Sequence, residues 1–83
     1  MTRGKLRVTE SRRMSDLYGY CDPATGKIVL RAGMSQFDRL GTLVHEGMHC
    51  ALPTTTEEEV DRISRILTAL LWQQGYRRRT KKS

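Results

Sequence analysis

Leu43-Val44-His45-Glu46-Gly47-Met48-His49 holds both histidines of the chain, four positions apart, with a glutamate directly after the first. On a helix, positions i and i+4 share one face, so both imidazoles can reach a single metal ion. Glu46 stands beside them, within reach of a water on that ion. Phe37, Leu40, Leu43 and Val44, ahead of the motif, are apolar at helical spacing, which places it on a helix. An ordinary amphipathic helix has no need of two histidines and a glutamate so arranged; a helix with a metal-binding face does.

Working outward, Ser35 can cap this helix, with Asp38 three residues on, and Pro53 stops it, so it spans about residues 36–51. Leu40, Val44, Met48 and Ala51 make its expected core stripe; Thr42, His45, Glu46 and His49 make the neighbouring, metal-facing stripe. Gly41 and Gly47 are costly inside a helix, roughly 1 kcal/mol each against Ala. Gly47, between the histidines, is expected to spare room for a substrate or a neighbouring strand. Thr56 with Glu59 forms a capping box, and Glu57 and Glu58 suit the positive end of a second helix, about 57–74. Val60, Ile63, Ile66, Leu67, Leu70 and Leu71 form its wide apolar stripe, and Gly75 caps its end.

Before the motif the pattern changes period. Lys5 to Glu10 alternates as a half-buried strand does, with Leu6 and Val8 on one side. Asp22-Pro23-Ala24-Thr25-Gly26 is a turn between strand-like Leu17–Cys21 and Lys27–Arg31, giving a hairpin over 17–31. The predicted architecture is α+β: a small antiparallel sheet of about three strands packed on two helices. Residues 1–76 form one domain and 77–83 a basic, solvated tail.

Eighty-three residues bury only about 60% of their unfolded surface, so a bound metal would help to hold the fold. No apolar run approaches a membrane span and no signal peptide is visible, which points to the cytoplasm and to reduced Cys21 and Cys50. Cys50, next to His49, reads as a small buried hydrophobe rather than a ligand. The net charge of +6 sits at the ends. Residues 1–13 carry five basic groups and one acid, 77–82 five and none, and the segment between them five against eight acids.

Catalytic zinc takes three protein ligands and leaves a position for water. With the histidines used, the third must be a carboxylate or a cysteine, and Glu57, Glu58 and Glu59 open the next helix just past a tight turn. Glu59 is occupied in the capping box. Glu57 has Asp61 four residues on, placed to hold the free ring nitrogen of a ligand histidine. Glu57 is therefore the expected third ligand and Glu58 the alternative.

Val44-His45-Glu46-Gly47-Met48-His49 followed by Glu57-x-x-x-Asp61 resembles a miniature of the gluzincin metallopeptidases, of which thermolysin is the familiar member. Glu57-x-x-Val60-Asp61-x-Ile63-Ser64 also looks like the pattern after the motif in ImmA/IrrE-type peptidases. A hairpin, motif helix, proline and acidic helix start is similar to small phage and prophage proteins and to SprT-like peptidase cores. The resemblance covers about residues 17–76. It implies Zn2+ held by His45, His49 and Glu57, with Glu46 as general base, Asp61 supporting a ligand, and a peptide or protein substrate hydrolysed in a bacterial host or phage-infected cell. A peptide could add to an exposed edge strand, with Lys27–Arg31 the expected edge. Tyr18, Tyr20 and Arg31 are the candidates for stabilising an oxyanion. The alternative is a non-catalytic, zinc-stabilised module whose basic ends contact nucleic acid, another polyanion or a partner protein. No aromatic clusters interleave with those basic groups, so base stacking is not signalled.

Overall fold

A computed structural model describes residues 6–13 and 17–78. Three strands precede two helices: β1 (Arg7–Ser11), β2 (Gly19–Asp22), β3 (Lys27–Arg31), α1 (Gln36–Ala51) and α2 (Glu57–Gln73). The α+β class and both helices fall where the periodicity puts them. Lys5, the expected start of the first strand, lies outside the described residues, as do 14–16 of the loop after it and 79–83 of the tail. Leu17 and Tyr18 lie ahead of β2 rather than within it.

The turn at Asp22–Gly26 closes the hairpin as its residues dictate: Gly26 N–H donates to the Asp22 carbonyl at 2.8 Å and Ala24 N–H to the Asp22 carboxylate at 3.1 Å. β2 then pairs antiparallel with β3, Tyr20 opposite Val29 and Cys21 opposite Ile28. β1 pairs parallel with β3, Val8 beside Ile28 and Glu10 beside Leu30. The sheet is therefore mixed, in the order β1-β3-β2, where an antiparallel one was expected. An alternating strand shows which face it buries but not which way it runs beside its neighbour. Here the chain crosses between β1 and β2 to the far edge, and the tight hairpin then returns β3 into the middle. Lys27–Arg31 is consequently the central strand and not an edge; the edges are β1 and β2.

Ile28 and Leu30, 1% and 0% exposed, face Cys50 of α1, with Cys21, Met34 and Leu43 packed around them. α1 covers β2 and β3, and α2 packs on α1 alone, touching no described strand. β2 can approach α1 closely because position 19 is glycine. A Cβ there would stand 2.8 Å from the Val29 carbonyl oxygen and 2.9 Å from Thr42 Cγ2.

The helices are rotated from the expected orientation. The buried residues of α1 are Thr42 and Cys50, and those of α2 are Val60, Ser64 and Thr68, while Ala51, Ile66, Leu67 and Leu70 are exposed. Turning the largest apolar stripes inward would have carried His45 and His49 away from Glu57. Packing instead runs through small residues, with the space over Gly41 bounded by Thr68 Cγ2 at 3.6 Å.

The start of the basic tail is tied down. Gln36 and Arg78 exchange two hydrogen bonds, at 3.1 and 3.2 Å. The Arg77 guanidinium lies 3.2 Å from the centre of the Trp72 ring, which itself meets Phe37 edge-on at 5.1 Å. Arg78 and Arg39 both reach Glu10 Oε2, at 2.6 and 2.7 Å, joining β1 to the helical layer. The Arg39 hydrogen bond outweighs burial and, helped by the Arg78 charge, holds the Glu10 carboxyl below its ordinary range. A lowered carboxyl adds stability above its unfolded pKa and loses it as pH falls through the folded value. Glu10→Gln should therefore cost up to about 1 kcal/mol near neutral pH, and less in acid. Thermal melts of both proteins on acidification would show the gap closing; a gap independent of pH would refute this.

Candidate metal centre

α1 is capped by Ser35, whose Oγ accepts from Asp38 N–H at 3.1 Å, and α2 by Thr56, whose Oγ1 accepts from Glu59 N–H at 3.2 Å. Between them the chain turns sharply. Leu52 N–H donates to the Met48 carbonyl at 2.7 Å, Pro53 cannot continue the helix, and Thr55 N–H donates to the Leu52 carbonyl at 3.0 Å. The turn sets the first residue of α2 over the last turns of α1. His45 Nε2 lies 3.1 Å from Glu57 Oε2, and His49 Nε2 lies 2.8 Å from Glu57 Oε1. One donor atom from each of the three falls within 4.8 Å of the others.

The network behind His45 bears on whether a cation suits this place. Ser64 Oγ donates to the Asp61 carbonyl at 3.2 Å and lies 3.4 Å from His45 Nδ1. When the Ser64 hydrogen goes to the carbonyl, the hydroxyl accepts from Nδ1–H and Nε2 keeps its lone pair on the side of Glu57, the tautomer that a metal ligand needs. Two imidazole nitrogens and one carboxylate also match the donor set of a catalytic zinc site with one position left open. The residues fit Zn2+.

Of the two glutamates considered for the third ligand, the turn brings Glu57 to the histidines. Glu58 lies on the outer surface with Glu59, Arg62 and Arg65. Glu59 N–H donates to the capping Thr56 hydroxyl, while the Glu59 carboxylate pairs with Arg62 at 2.8 Å. The expected support from Asp61 is corrected: its carboxylate pairs with Arg65 at 3.0 Å, and Ser64 meets the His45 ring instead. A serine inside a helix reads as surface, and its seven-residue step from Glu57, which puts both on one face, was the signal available. Ser64→Ala should weaken zinc binding roughly 10- to 100-fold with the fold intact. Competition against a zinc-chelating dye measures this; unchanged affinity would exclude Ser64 as the residue orienting His45.

Glu46 sits beside the histidines and is half-buried. Burial pushes its carboxyl above the ordinary range and the Glu57 charge adds to this, opposed by His45 and His49. Cys21 is pushed up to about 12 by burial first, then by the neighbouring Cys50 and Glu46, and it lies outside the group whose donor atoms converge. Cys50 is 6% exposed within the core, as expected of a small hydrophobe.

Two grooves meet at His45, Glu46 and Gly19. The larger, about 700 Å³, runs between α1, α2 and the approach to β2, past Leu17, Tyr18, Phe37 and Thr68. The smaller, about 410 Å³, runs along β2 past Tyr20, Cys21, His49 and Glu57. Tyr18 and Tyr20 thus each line one groove, while the Arg31 guanidinium stacks 4.4 Å from the centre of the Tyr18 ring. Among the described residues, no helix is long and apolar enough to cross a membrane.

Compared with known proteins, the chain matches no family profile, no curated protein and no solved structure.

Proposed function

We propose that the chain is a zinc-dependent peptidase of minimal size, with His45, His49 and Glu57 as ligands and Glu46 as general base. The observation that carries this reading is the meeting of both Nε2 atoms and the Glu57 carboxylate, with Glu46 alongside where two grooves join. When bound, zinc supplies Lewis acidity to a carbonyl oxygen and lowers the pKa of water. Glu46 takes the proton of the attacking water and passes it to the amide nitrogen as the C–N bond breaks. Ser64 holds the His45 ring. The exposed edge of β2, rather than β3, aligns an extended peptide by strand addition.

The alternative, a zinc-stabilised module that grips nucleic acid or a partner through its ends, has less support. Arg77 and Arg78 are engaged within the molecule, and such a module has no use for Glu46. We place the protein in the cytoplasm of a bacterial or phage-infected cell, in keeping with its two unpaired thiols.

The test is cleavage of a library of quenched fluorescent peptides by protein purified without a histidine tag and shown by elemental mass spectrometry to hold one zinc per chain. Zinc-dependent cleavage supports the reading. Zinc-loaded protein that cleaves nothing, yet binds nucleic acid through its ends, would replace it with the alternative.

A further inference from the structure

The grooves occupy one side of the helix pair, and the other side is apolar and, among the described residues, uncovered. On α2, Asp61, Ser64, Arg65 and Thr68 line the larger groove, so the stripe of Ile63, Leu67 and Leu70 faces away from it, with Ile66 beside them. Ile66, Leu67 and Leu70 are 58%, 38% and 50% exposed. On α1, Leu40, Val44 and Met48 continue this face and are only half-buried. Gly47 lies among them. A Cβ built there meets nothing within 4 Å, so no contact among the described residues accounts for a glycine in mid-helix, where it costs stability. A surface that approaches from outside would account for it.

We infer that this face joins two copies of the chain in an isologous dimer. The exposed and half-buried side chains together offer on the order of 400 Å² of apolar surface, about what one partner contributes to a standard interface. The stripe of Ile63, Leu67 and Leu70 carries no charge, and Glu59, Arg62 and Arg65 flank it beside Ile66. Ile63, Ile66, Leu67 and Leu70 have the i, i+3, i+4, i+7 spacing that packs against a like helix. A two-fold axis near Ile66 and Leu67 runs the paired α2 helices antiparallel. The positive start of each α2 then lies toward the negative end of the other.

Sedimentation of the full chain over a dilution series tests this. The expected species has twice the 9.5 kDa of one chain, and Ile66→Glu or Leu70→Glu should weaken association roughly tenfold or more without changing the far-ultraviolet circular dichroism. The milder pair Ile66→Ser and Leu70→Ser serves if either charge unfolds the protein. A monomer at every concentration overturns the inference, and so does a dimer that all of these variants leave intact.

Discussion

Glu46→Gln should leave zinc affinity within a few-fold of the parent and lower the turnover of a cleaved peptide by about 10²- to 10⁴-fold. Glutamine keeps the size of the side chain but cannot accept the proton that the attacking water must lose. Glu46 is not among the three residues whose donor atoms converge, so the metal should stay. Its carboxyl is raised mainly by burial, which makes the ionised form a better base and a less comfortable one. A raised carboxyl contributes stability that is present below its unfolded pKa and is lost as pH rises through the folded value. Near neutral pH the amide escapes that loss, so the metal-free variant should melt no lower than the parent. This combination separates a base from a scaffold residue. Unchanged turnover would remove Glu46 from the mechanism, and loss of zinc would make it a ligand instead.

The parts legible in the sequence were those set by local chemistry. Ser35 and Thr56 cap the helices they were expected to cap, Pro53 ends α1, and Asp22–Gly26 turns the hairpin, because each acts on backbone within a few residues. The spacing of His45 and His49 placed them on one face for the same reason. What could not be read depended on partners distant in the chain. The alternation of Arg7–Ser11 is the same for parallel and antiparallel pairing, so the direction of β1 and the central place of β3 were hidden. Arg78 looked like free tail until Gln36 and Glu10 were seen to hold it. The widest apolar stripe does not mark the core here, so it points to the wrong rotation of the helices. With His45, His49 and Glu57 brought together, Val60, Ser64 and Thr68 are buried and Ile66, Leu67 and Leu70 are left outside. Ser64 gains its role only once that face turns inward.

Zinc at a thousand times its dissociation constant should stabilise the chain by about 4 kcal/mol, because an ion that binds only the folded state shifts the equilibrium by mass action. For a domain of this size that is a rise in Tm of roughly 15–30 °C. The stabilisation is a large share of the roughly 5–15 kcal/mol that holds an ordinary domain together. Glu57→Gln removes the only charged ligand of the three, and an amide is a poor donor to zinc. A loss of about 100-fold in affinity takes away about 2.7 kcal/mol, most of the rise at the same zinc concentration. Glu58→Gln should keep it, since that carboxylate lies on the outer surface with Arg62 and Arg65. The two variants differ by one position and carry the same change in charge, so any effect of the α2 dipole is nearly common to both and cancels in the comparison. If Glu58→Gln abolishes the shift and Glu57→Gln does not, the third ligand is reassigned. If neither does, zinc is held by the histidines alone, and Glu57 serves only to pair with their rings.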